Sequence, residues 1–127
     1  MTLRGLLEEK AERYGSRRAM VWNEDKTWHE RTWRELLVRV SELAEGYGTR
    51  FALKSGVDNT AIILGNSPTW IETYLAQAGC GVAVVPLDPK LRAEEVEYIL
   101  ANAQAKVVTT DKAHLRMMMA LAPKLPD

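Results

Sequence analysis

The chain has 127 residues, enough for one core and too few for two independent domains. Hydrophobic residues make up 46% and charged residues 27%, with eight glycines and five prolines, which excludes collagen-like, low-complexity and largely disordered classes. Lysine plus arginine balances aspartate plus glutamate at 17 each, leaving no net positive field to gather phosphate backbones, so nucleic acid is not an expected partner.

The lone cysteine, Cys80, cannot form an internal disulfide, and no Cys/His pair has zinc-ligand spacing. Charges interrupt each apolar run of the opening segment, and no stretch approaches the roughly 20 apolar residues needed to span a bilayer. A reducing cytoplasm is the expected compartment.

In chain order, Leu3, Leu6, Leu7, Lys10, Ala11 and Tyr14 recur at three- and four-residue intervals and predict an amphipathic helix ending at Gly15. Residues 18–22 and 27–31 predict a β-hairpin around a four-residue turn, Asn23 to Lys26. Thr32 and Glu35 form a capping-box pattern, and Leu36, Leu37, Val40, Leu43, Ala44 and Tyr47 make the stripe of a helix that Gly46 or Gly48 can stop. Residues 49–54 read either as an extension of that helix or as a linker packing Phe51 and Leu53 inward.

From Thr60 the pattern alternates. Residues 60–64 are almost uniformly apolar, as a strand covered on both faces requires, and 82–85 and 106–109 read as two further strands. Between them lie a helix capped by Asn66 or Ser67, started by Pro68 and presenting Trp70, Ile71, Tyr74, Leu75 and Ala78, and a helix presenting Val96, Ile99, Leu100 and Ala103. A last helix, capped by Thr110 or Asp111, presents Leu115, Met118, Met119 and Leu121. Strand–helix alternation with crossovers of this length predicts an α/β fold: a layered parallel βαβαβ unit with flanking helices and an N-terminal β-hairpin. The organisation expected is a single subdomain, 1–127, with helix and hairpin over 1–31, helix and linker over 32–59, and the parallel unit over 60–127.

Open parallel sheets bind ligands beyond the carboxyl ends of their strands, so the segments to search are Gly65-Asn66-Ser67, Pro86-Leu87-Asp88 and Thr110-Asp111-Lys112. The first could offer backbone amides to an anion but lacks the spaced glycines that wrap a pyrophosphate, which favours plain helix capping. Gly79-Cys80-Gly81 precedes a strand where a phosphate loop would follow one; close packing at a helix end explains it better. Cys80 reads as a small buried hydrophobe, and His29 and His114 as structural or solvent-touching histidines without a metal-ligand partner four residues on. Asp88 and Asp111 sit at strand ends, where loop capping competes with any ligand role. Trp22, Trp28 and Trp33 are expected to form one aromatic cluster, while Met117, Met118 and Met119 either fill the core or form a sticky surface.

The order of these features resembles the beginning of the acyl-CoA synthetase group within the adenylate-forming superfamily. The likeness rests on Thr32-Trp33-Arg34-Glu35-Leu36, Gly65-Asn66-Ser67-Pro68-Thr69-Trp70, Gly81-Val82-Ala83-Val84-Val85-Pro86-Leu87-Asp88-Pro89, and Glu94 to Leu100 leading into Ala105-Lys106-Val107-Val108. It runs from about residue 15 to about residue 111 and departs at 48–57, where the usual glycine-aspartate turn is missing. The resemblance, which takes in long-chain fatty acid–CoA ligases and acyl-carrier-protein synthetases, implies a parent enzyme that uses ATP and magnesium to make an acyl-adenylate. The acyl group then passes to coenzyme A or a carrier protein.

Such enzymes carry their phosphate loop, adenine contacts and catalytic lysine downstream of the region represented. The expectation is therefore an N-terminal piece, inactive by itself, with no catalytic, cofactor-binding or metal-binding residues of its own. Its partner would be the remainder of the parent enzyme, and apolar surface left uncovered would favour a homo-oligomer. The alternatives are a self-contained Rossmann-like or flavodoxin-like binding module and a structural partner-docking domain.

Overall fold

The computed structural model describes residues 1–126. Three apolar segments become the strands β3 (Asn59–Ile63), β4 (Ala83–Pro86) and β5 (Ala105–Thr110) of one parallel sheet in the order β4-β3-β5. Thr60 lies opposite Val84 on one side and Val107 on the other, and Ile62 lies opposite Pro86 and Thr109. β3 is central, and all its residues after Asn59 are buried, which accounts for its unbroken apolar run. Pro86, lacking an amide, is tolerated because β4 lies at the edge of this sheet.

Successive residues of β3 serve opposite faces. Ala61 and Ile63 join Leu87, Val96, Leu100, Met118 and Leu121 in a core beneath α4 (Ala93–Ala103) and α5 (Lys112–Leu121). On the other side Thr60 meets α3 (Pro68–Gly79). Beyond α3, Ala76 packs with Leu7 of α1 (Leu3–Tyr14) and with Leu36, Val40 and Ala44 of α2 (Trp33–Phe51) in a second core. The sheet is thus a middle layer between two helical layers. Beside α2 lies the antiparallel hairpin of β1 (Arg18–Glu24) and β2 (Thr27–Thr32).

The capping chemistry follows the sequence. Thr32 Oγ1 accepts from the Glu35 amide while the Glu35 carboxylate accepts from Thr32 N at 2.8 Å, closing the capping box of α2. Ser67 caps α3 with Pro68 in its first turn, and Asp111 caps α5. Gly81, at φ +73°, turns the end of α3 into β4; a β-carbon there would lie 3.0 Å from Ser55 Cβ, the close approach that explains the glycine.

Four expectations need correction. The hairpin turn is two residues: Asp25 and Lys26 both have positive φ, 50° and 63°, the type I′ pattern whose twist matches the strands. Neither Gly46 nor Gly48 stops α2, which continues to Phe51 and ends at left-handed Ala52. Two glycines cost about 1 kcal/mol each in a helix interior, an amount that the packing of Tyr47 against Phe51, with rings 5.9 Å apart, helps to offset. Just past 48–57, Asp58 organises the turn: its Oδ2 accepts from Lys54 N at 2.7 Å and from Lys106 Nζ at 3.2 Å.

The tryptophans form no common cluster. Trp22 is paired across the hairpin with His29, which places Trp28 on the opposite face, 72% exposed. The fourth correction concerns the buried face of α3, which is Glu72, Thr73, Ala76 and Gln77, whereas Ile71 is exposed. In α5, Met118 and Leu121 enter the core, but Leu115 and Met119 face outward.

Candidate functional site

The three segments singled out at strand ends converge, and Asp111 joins two of them directly. Its Oδ2 accepts from Gly65 N at 2.9 Å, while Oδ1 accepts from the His114 amide at 3.0 Å. The His114 ring lies one turn into α5, with Nδ1 2.5 Å from Asp111 Oδ1 and Nε2 2.9 Å from the carbonyl oxygen of Pro89. The loop after β3, the loop after β4 and the start of α5 are therefore held together by one carboxylate and one imidazole. The Gly65 amide, together with the neighbouring histidine, holds the Asp111 carboxyl below its ordinary range. The Asp111 carboxylate and the Pro89 carbonyl raise the basicity of His114.

This arrangement decides what the edge can do chemically. An anion docking on the turn after β3 would need free amides, yet Gly65 N is given to Asp111 and Trp70 N is given to Ser67 Oγ at 3.3 Å. Asp111 thus acts as an internal anion at this turn. Asp88 is also engaged, accepting from Lys90 N at 2.8 Å in a local turn. Among the described residues no three His, Cys, Asp or Glu side chains converge as metal ligands. The residues present do not fit an ATP–magnesium site, for which several oxygen ligands and a set of phosphate donors are required.

Two recesses flank this edge. A cavity of about 900 Å³ lies between the hairpin and the start of α3, lined by Trp22, Arg31, Arg39, Asn66, Ser67 and Glu72 among others. Within its wall Glu72, 3% exposed, takes an ion pair from Arg31 and a second from Arg39 at 3.3 Å, so β2, α2 and α3 meet on one buried carboxylate. The Arg31 guanidinium also lies 5.5 Å from the Trp22 ring. A second recess, about 620 Å³, runs along β5 under Leu43, Tyr47 and Phe51.

Sequence reading missed the polar lining of α3. Gln77, fully buried, accepts from Thr60 Oγ1 at 2.8 Å and donates to Thr109 Oγ1 at 2.9 Å, and Thr109 meets the Tyr47 hydroxyl at 2.6 Å. The available signal was the spacing of Glu72, Thr73, Ala76 and Gln77, itself a helical stripe. Cys80, expected to be buried, is only half-buried; desolvation still pushes its thiol up, and Sγ donates to Ala44 O at 3.4 Å. His29 stacks on Trp22, ring centroids 5.5 Å apart, far from any ligand constellation.

Comparison with known proteins places this geometry. Residues 7–126 match the family described as AMP-binding enzyme. The chain is 31% identical over 123 residues to a medium-chain-fatty-acid–CoA ligase from Ectopseudomonas oleovorans, covering 96% of this chain and 22% of that protein. It is also 31% identical over 121 residues to N-(5-amino-5-carboxypentanoyl)-L-cysteinyl-D-valine synthase from Amycolatopsis lactamdurans, covering 95% of this chain and 3% of that protein.

Among solved structures, a protein named as a long-chain-fatty-acid CoA ligase from Rhodopseudomonas palustris CGA009 superposes with a TM-score of 0.87 at 26% identity, covering 99% of this chain and 30% of the other. An anthranilate CoA ligase shares the fold, with a TM-score of 0.88 at 18% identity over 99% of this chain and 23% of its own. The chain therefore spans less than a third of the length of each of these relatives.

Proposed function

Because this chain belongs to the AMP-binding enzyme family, we propose that it is the amino-terminal part of an ATP-dependent acyl-activating ligase, inactive alone, that builds one wall of the large domain. The observation that carries this reading is a match across residues 7–126 to proteins of which the chain covers only a minor share. The whole enzyme would convert a carboxylate, with fatty acids the leading class, to an acyl-adenylate using ATP and magnesium. It would then pass the acyl group to coenzyme A or a carrier protein.

The chemistry of the chain agrees with this division of labour. Its strand-end carboxylates Asp88 and Asp111 accept from amides of their own loops and of Gly65, so it contributes shape and rigidity, while triphosphate and metal contacts come from the remainder of the parent. The three parts 1–31, 32–59 and 60–127 then act as one subdomain. Exposed Tyr98 and Met119 favour self-association of the isolated chain. No helix among the described residues is long and apolar enough to cross a membrane, and free Cys80 is compatible with a cytoplasmic location.

The test is carboxylate-dependent pyrophosphate release by the parent enzyme across a panel of short-, medium- and long-chain fatty acids and aromatic acids, with and without coenzyme A. Release with at least one class is expected. A parent enzyme that releases no pyrophosphate with any carboxylate overturns the reading.

A further inference from the structure

The imidazole of His114 has an acceptor at each nitrogen. A carbonyl oxygen can only accept, and an ionised carboxylate can only accept, so the two contacts, 2.5 Å to Asp111 Oδ1 and 2.9 Å to Pro89 O, are both satisfied only if both ring nitrogens carry protons. Either neutral tautomer would aim a lone pair at an oxygen. With Asp111 ionised, two acceptors at the two ring nitrogens call for an imidazolium. The side chain is 18% exposed and its partner carboxylate 33%, so water reaches the pair and can exchange the proton.

We propose that His114 is a proton-operated latch: as a cation it clamps the loop after β4 to the start of α5, and on losing a proton it keeps Asp111 and releases Pro89. Asp111 holds the loop after β3 through Gly65 in either state, so the proton decides only whether the loop after β4 is tied to that fixed pair. This inference is independent of the proposed acyl-activating role.

The surrounding charges leave Asp111 in control. On the Pro89 loop, Asp88 is turned to the Lys90 amide and Lys90 is exposed. Arg92, at the start of α4, pairs with Glu95. On α5 itself, Lys112 and Arg116 are exposed. The loop after β3 presents the uncharged Asn66 and Ser67.

The experiment uses the 127-residue chain carrying His29→Gln, which leaves one histidine to observe. Nitrogen-15 spectra of the imidazole should show both ring nitrogens protonated at pH 6.5, with deprotonation centred above that value. The amides of Lys90 and Leu91 should shift with the same midpoint. Asp111→Asn, which retains an oxygen to cap α5, should move the midpoint downward. His114→Gln should speed hydrogen exchange at the Leu91 amide by about tenfold. A ring with one bare nitrogen at pH 6.5, or Lys90 and Leu91 amides that stay still through the transition, overturns the latch even if Asp111→Asn fails to fold.

Discussion

Replacing Gln77 with leucine isolates the polar seam between α3 and the sheet. The side chains are similar in volume, so little cavity is created, and the change falls on hydrogen bonding. Thr60, fully buried, loses the acceptor of its hydroxyl, an orphaning that costs about 1–3 kcal/mol. Thr109 loses one donor but keeps Tyr47, so its share sits near the low end, about 0.5–1 kcal/mol. The expected destabilisation is about 1.5–4 kcal/mol, measured by urea unfolding followed by circular dichroism and tryptophan fluorescence. At about 4 °C per kcal/mol for a chain of this size, the midpoint of thermal unfolding should drop by roughly 6–16 °C.

The second arm adds Thr60→Val to Gln77→Leu. Valine keeps the shape of threonine and removes the stranded hydroxyl, so about 1–2 kcal/mol should return. A single mutant within about 0.5 kcal/mol of the parent, or a double mutant with no recovery, would refute the claim that these bonds rather than packing volume hold the seam.

Gly81→Ala should destabilise by about 1–3 kcal/mol in the same unfolding assay, because the backbone is left-handed there and Ser55 blocks the added methyl. Asp25→Asn with Lys26→Gly should stabilise by about 0.5–1 kcal/mol, since Asn-Gly is the preferred pair for two positive φ values; no gain would mean the turn is not of this type in solution. Stability followed against pH should be highest, for the Asp111–His114 tie, between about pH 4 and 6.5, the ordinary carboxylate and imidazole values. Asp111, held low, loses its contribution as pH falls through its folded value; His114, held high, loses its contribution as pH rises through its own. A contribution that His114→Gln leaves unaltered above pH 7 would contradict that sign. Calorimetric titration of the isolated chain with ATP or coenzyme A should show no binding tighter than millimolar.

The parallel unit was legible through its strand–helix alternation, although coverage on both faces holds for β3 alone, β4 and β5 being only partly covered. β3 must be apolar on both faces, and its bounds differ from expectation by one residue at each end. Caps were legible because Thr32, Ser67 and Asp111 satisfy amides within three residues of themselves. What escaped was decided at longer range. Glu72 and Gln77 look like solvent-facing residues until Arg31, 41 positions earlier, and Thr109, 32 positions later, are brought to them. The continuation of α2 past two glycines brings Tyr47 against Phe51, an i,i+4 contact that residue-by-residue propensity leaves out. Among the strand-end residues, the sequence marked Asp88, Asp111 and His114 as places to look and favoured structural roles; only the fold could reveal that one imidazole spans two of the loops.

The sheet order β4-β3-β5 has a further consequence for assembly. The strand that comes first in the chain sits in the middle, and the later two are laid on either flank, each by way of a helix. Among the described residues the outer flanks of β4 and β5 carry no neighbouring strand, so the sheet can widen on both sides without disturbing any pairing already made. Any strand added at either margin would meet three strands whose mutual register is already fixed.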